Sequence, residues 1–272
     1  MSRFAVFFLP LLIAYAATLH WMWEVWTLPE SYYSHGPLVP LVAALVVWAR
    51  AAAWRDLPAA TDLRGFRLLA PALALHLAAA ALTIDSLSAA SLVLAVPGAA
   101  WLALGAARAR ALAPVLGLTA FCVPLPLFVS GRVAFTLKEW ATGAALTLAN
   151  GTGLGATRAG AFLHVPGQDA PLLVADACGG LRSLVALATL GYCIAFFLGE
   201  QRGARRWILL ALALPIAFVV NVVRIVALCW LARLHSVEFA AGNGHDLVNA
   251  LAWIVALVLL VLCDRLLSRR RA

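Results

Sequence analysis

The chain has 272 residues, of which 64% are hydrophobic and 12% charged, and its mean hydropathy is +0.96. Soluble domains run near 45–50% apolar and about 25% charged, so this composition excludes a soluble enzyme, a disordered chain and a nucleic-acid reader. The net charge of +8 does not indicate DNA, because fourteen of the 20 basic residues fall in clusters flanking apolar runs, as where helices leave a membrane. The sequence is that of a polytopic integral membrane protein.

A helix needs about 20 apolar residues to cross the hydrocarbon core. Eight runs qualify in chain order: 4–23, 36–53, 66–84, 87–106, 111–129, 180–199, 207–232 and 247–264. The first is read as a retained helix, because its His20-Trp21-Met22-Trp23 end lacks the small-residue pattern of a signal-peptide cleavage site. Only a short turn at Asp85-Ser86 separates the third run from the fourth. Prolines at or inside the runs do not veto them, since neighbouring helices re-satisfy the freed backbone groups.

Between the fifth and sixth runs, the 130–179 connection has structure of its own. Residues 132–149 predict a helix lying at the interface, and 157–165 a strand. Six turn-rich residues follow, Pro166-Gly167-Gln168-Asp169-Ala170-Pro171. A return strand at 172–175 then delivers the chain to Asp176-Ala177-Cys178-Gly179-Gly180.

Threading eight helices puts Arg3, Arg50, Arg55, Arg64, Arg67, Arg108, Arg110, the arginines of 202–206 and those of 265–271 on one side. Arg132, Lys138, Arg158, Arg182, Arg224 and Arg233 fall on the other. Fourteen against six places the first set, with both termini, in the cytoplasm. The expectation is an all-α integral membrane protein, one polytopic domain over 1–272 with eight transmembrane helices. A small helix-plus-hairpin insert at about 130–179 faces outward before the sixth helix, and no soluble domain follows the last.

Ionisable residues in or beside such spans are costly and therefore point to function. Three groups stand out. Cys178 opens the sixth helix, where unpaired amide N–H groups and the helix dipole favour a thiolate; Arg182 follows one turn later. Asn221 and Arg224 share a face of the seventh helix at i and i+3, with Arg224 near its outer end. His245 and Asp246 start the eighth. Each has an ordinary reading alone: a juxtamembrane thiol, a snorkelling arginine, an N-cap beside an idle histidine. The topology nevertheless brings all three to one outer boundary, and a thiol, a proton carrier and a fixed cation are the parts of acyl transfer through a thioester. The remaining cysteines, Cys122, Cys193, Cys229 and Cys263, lie in apolar segments as small hydrophobes. The other histidines form no ligand cluster, so neither metal nor cofactor is expected.

Ala177-Cys178-Gly179-Gly180-Leu181-Arg182-Ser183, then Asn221-Val222-Val223-Arg224, then His245 resembles the signature of the exosortase/archaeosortase family of membrane cysteine transpeptidases. Tyr33-Ser34-His35-Gly36-Pro37 and Pro124-Leu125-Pro126 are further landmarks, and the likeness spans about residues 30–265. Gly179 stands where the family has serine, and Asn249 where it has glycine four residues after the histidine.

The resemblance implies that Cys178 is the nucleophile, that Arg224 steadies the oxyanion or thiolate, and that His245 moves the proton. It further implies a bacterial inner-membrane protein with its active site facing the periplasm. The implied partners are membrane-anchored proteins bearing a C-terminal motif of the PEP-CTERM kind, a transmembrane helix and a basic tail. The competing reading is a non-catalytic transporter or polysaccharide-export subunit, in which Arg224 and His245 would line a pathway. Transporters tend to gather their polar groups near mid-membrane, whereas here the groups collect at one boundary.

Overall fold

The structure, a computed structural model, describes residues 3–29, 31–174, 180–199 and 203–269. It is mostly helical and divides into two compact units, Met1–Leu127 and Phe128–Ala272.

The first unit opens with α1 (Arg3–Ala14) and α2 (Ala16–Thr27), which are bent 65° about Tyr15. Tyr15 is fully buried; its hydroxyl lies 2.6 Å from Ser91 Oγ and its ring stacks on His76. Thr18 and His76 both hydrogen-bond Ser88. These polar groups satisfy one another, as an apolar surrounding requires. Then come α3 (Leu38–Ala49), α4 (Ala52–Arg55), a 3₁₀ turn at Leu63–Gly65, α5 (Phe66–Ala81), α6 (Asp85–Leu116) and α7 (Thr119–Cys122).

One residue reshapes α6. Gly105 has φ 84° and ψ 164°, a conformation essentially restricted to glycine, and the chain doubles back there. At the Gly105 end, the Asp62 amide donates to the Leu102 carbonyl, and the Arg108 guanidinium donates to the carbonyls of Leu57 and Arg55. At the far end of the return, the Trp26 indole donates to the Cys122 carbonyl at 2.8 Å and His35 Nε2 to that of Phe121. The runs expected at 87–106 and 111–129 are thus two arms of one helical stretch, Asp85–Cys122. The second arm stops at Cys122 because Pro124 disfavours helical geometry at the residue before it; Val123 is extended, with ψ 117°.

Among the described residues, five helices are long and apolar enough to cross a membrane, or six with the bent α1–α2 pair taken as one span. That count differs from the eight runs of the sequence because Asp85–Cys122 enters it as one stretch, although the chain reverses at Gly105 and both arms remain, and because the apolar helix in 36–53 is only 12 residues long.

The second unit comprises α8 (Leu127–Gly151), three short strands, α9 (Leu181–Cys193) with a π-helical turn at Ile194–Leu198, α10 (Ala204–Leu234), α11 (Val237–Ala241) and α12 (Asn243–Arg269). The strands β1 (Thr157–Ala159), β2 (Phe162–His164) and β3 (Leu172–Leu173) form an antiparallel sheet in that order. The single strand expected at 157–165 is therefore itself a hairpin, turning through Gly160-Ala161. Gly160, with φ 62°, supplies the left-handed residue that such a two-residue loop requires.

The sheet packs on the alanine face of α8 (Ala141, Ala145, Ala149) and on Val222, Ile225 and Cys229 of α10, with Leu163 wholly buried among them. Glu139 of α8 pairs with Arg158 of β1. The opposite face of α10, through Leu209, Ala213 and Ala217, packs with Leu187 of α9 and with Ala256 and Leu260 of α12. Helix α10 is thus the shared wall between the strand insert and the α9–α12 pair. The polar positions of α10 lie on the second of these faces.

Candidate active site

The site is built where α9, α10 and α12 meet. Helix α9 begins at Gly180, whose φ of 88° and ψ of −12° put its backbone in the left-handed region. A methyl group there would stand 2.8 Å from the Asn221 side-chain nitrogen. Both the backbone conformation and the close approach of Asn221 therefore require glycine. This contact ties the start of α9 to the middle of α10.

One turn along α10, Arg224 is only 5% exposed, and Asn221 only 3%. Arg224 Nη1 donates to Asn249 Oδ1 of α12 at 2.9 Å. A cavity of about 20 Å³ lies among Ser183, Asn221, Arg224, Asn249 and Trp253, a volume that holds about one water molecule. A guanidinium stays protonated at any working pH and presents a rigid fork of donors. The protein therefore keeps a permanent cation inside the three-helix junction, oriented by an amide acceptor.

His245 sits in the first turn of α12, partly buried, with its amide bonded to the Gly242 carbonyl. Its Nδ1 is 3.7 Å from Oδ1 of Asp246, which is largely exposed. Asn249 follows four residues later, on the same face of the helix. His245 and the acceptor of Arg224 thus belong to one helical stripe. Asp246 lies within the first turn, where an acid is favourable to the helix dipole.

Of the three residues singled out from sequence, Arg224 and His245 come from adjacent helices linked through Asn249, while Cys178 lies outside the described residues. The segments on either side of Cys178 are anchored: Val174 is buried in the core of the insert, its amide bonded to the Ala161 carbonyl, and Gly180 lies against Asn221. Asn249 is the residue that sequence reasoning passed over, noting it only as a departure from a family pattern. An amide side chain inside an apolar helix, one turn from a singled-out histidine, was the available signal. His35 belongs to the first unit, where it bonds the Phe121 carbonyl and stacks with Tyr33. Burial lowers its pKa, against the opposing effect of that hydrogen bond.

No curated protein and no solved structure matches the chain. A family model described as transmembrane exosortase matches residues 21–262 of the 272. With nearly its whole length matched, the chain belongs to the transmembrane exosortase family.

Proposed function

We propose that the protein is a membrane cysteine transpeptidase that cleaves the C-terminal sorting region of exported proteins and passes them to an acceptor. The observation that carries this reading is the buried Arg224, held by Asn249 beside an Asn221 that packs on the Gly180 turn. Cys178 stands two residues before that turn in the chain. Family membership supports this reading over a transport role.

The chemistry follows from the residue types. The Cys178 thiolate adds to the scissile carbonyl carbon, and the electron pair of the C=O bond moves onto oxygen. Arg224 offsets the negative charge that develops there, an effect that grows where water is excluded. His245 delivers a proton to the leaving amine as the C–N bond breaks, leaving an acyl thioester on Cys178. It then takes a proton from the acceptor, whose nucleophilic atom displaces the thiolate.

A substrate anchored by its own transmembrane helix holds its motif near the junction at high effective concentration, with its basic tail kept on the cytoplasmic side. In this reading the junction faces the periplasm and both termini face the cytoplasm. The test is to co-express a protein bearing a sorting motif, transmembrane helix and basic tail, then sequence its new C-terminus. Defined cleavage with the native chain and none with Cys178→Ala supports the assignment; identical cleavage in both refutes it.

A further inference from the structure

The doubling back of α6 at Gly105 leaves a groove of about 480 Å³ in the first unit, and none of its lining residues belongs to the junction just described. That volume lies in the range of pockets that hold organic ligands, about 300–1,000 Å³. Both arms line it: Val93, Pro97 and Trp101 from the first, Ala113 and Leu116 from the second. Arg64 and Arg110 line it at the Gly105 end. Val93 and Leu116 lie 12 and 11 residues from Gly105 along their arms, so the groove extends roughly 16–18 Å from its basic end.

The groove is therefore polarised, with cations at one end and hydrocarbon surface along the rest. The basic end is strongly so. Residues 50–67 and 106–110 carry six arginines against two aspartates. Of those aspartates, Asp62 is engaged locally, accepting from the Arg64 amide at 3.0 Å and the Trp101 indole at 2.8 Å. The indole sits beside the arginines, an arrangement typical of the headgroup level of a bilayer.

We infer that this groove binds one anionic phospholipid, its phosphate held by Arg64 and Arg110 and an acyl chain laid between the two arms of α6. Charge complementarity selects the occupant. A zwitterionic lipid gains little from this excess of arginines, whereas basic pockets between transmembrane helices suit anionic headgroups. The length and apolar lining of the groove match a chain rather than a soluble phosphate compound. The lipid fills a gap that the small side chains of the second arm leave open, and it joins the arms on the side away from Gly105.

The test is titration of the purified full-length chain in detergent with phosphatidylglycerol and with phosphatidylcholine, retained lipid being counted by native mass spectrometry. The native chain should retain phosphatidylglycerol preferentially. Each arginine near an anionic headgroup is worth about fivefold in affinity, so Arg64→Gln with Arg110→Gln should weaken retention on the order of 25-fold. Arg132→Gln with Arg265→Gln removes the same charge elsewhere and should change nothing. Ala113→Leu, or Ala109→Leu if that variant folds poorly, fills the groove with both arginines intact and should also reduce retention. Equal retention of the two lipids overturns the inference, as does equal loss in the two arginine pairs. Full retention in a folded groove-filling variant also overturns it, because binding would then be a surface charge effect.

Discussion

Arg224 of α10 and Asn249 of α12 meet at 2.9 Å inside the second unit, guanidinium to amide oxygen. The two residues are 25 positions apart in the chain, and their bond fixes how two apolar helices are registered at the polar junction. A buried guanidinium without such an acceptor would be costly. Asn249 supplies such an acceptor from the facing helix.

Asn249 therefore acts through Arg224 as a positioning residue. Asn249→Ala should slow substrate processing by roughly tenfold, since a hydrogen bond to a charged group is worth about 1.5–3 kcal/mol. The loss should fall on kcat with KM little changed, because the developing oxyanion rather than the bound substrate depends on guanidinium orientation. Steady-state kinetics check it. An effect confined to KM would mean that Asn249 only shapes substrate binding.

Arg224→Lys keeps the charge but replaces a planar fork with a point charge of different reach. Removing one preorganised oxyanion donor typically costs on the order of 100- to 1,000-fold. With charge retained, we expect at least about a tenfold slower reaction from a protein that inserts normally. Arg233→Lys, at an exposed position near the end of the same helix, should be nearly silent. Near-native rates in both variants would show that Arg224 serves only as an anchor.

Gly180→Ala places a methyl group 2.8 Å from the Asn221 amide at a residue with φ of 88°. The backbone strain alone is about 1–2 kcal/mol, and moving Asn221 disturbs the neighbour of Arg224. The variant should lose both thermal stability and processing rate. Adding Asn221→Ala relieves the clash but not the backbone strain, so the double variant should recover part of the stability and none of the rate. Recovery of both would show that Asn221 has no part in the site.

The sequence made some of this legible and left the rest hidden, for identifiable reasons. Arg224 and His245 stood out because charge within apolar runs is rare, and the i, i+3 spacing placed Asn221 beside Arg224. Asn249 did not stand out because a neutral amide carries no such signal until its partner on another helix is seen. Helical content and the break between 87–106 and 111–129 followed from run length, but the single left-handed glycine that makes the reversal did not. A φ of 84° is a backbone choice that glycine permits without announcing. Gly160 hid the β1–β2 turn in the same way, inside a stretch read as a single strand.

Acid should weaken the first unit through Asp62. Its carboxylate accepts from the Arg64 amide and the Trp101 indole, and these bonds, the first of them foremost, hold its pKa below the ordinary 3.8. A folded value below the unfolded one means that the unfolded chain takes up the proton first. The stabilisation is therefore complete above the unfolded value of 3.8 and is lost as pH falls through it and through the lower folded value. Asp62→Asn should flatten this acid limb in a thermal-midpoint series, leaving the neutral-pH chemistry untouched. An unchanged acid limb would assign the acid sensitivity to other groups.

The central claim is that Cys178 carries the acyl group. The most direct measurement is peptide mass mapping of the chain quenched in acid during turnover of a tailed substrate. The account predicts the substrate fragment attached to the Cys178 peptide as a thioester that hydroxylamine releases. That adduct should persist when Cys122, Cys193, Cys229 and Cys263 are each replaced by alanine, and should vanish in Cys178→Ser together with cleavage. An adduct on another cysteine, or full processing by Cys178→Ser, would contradict it.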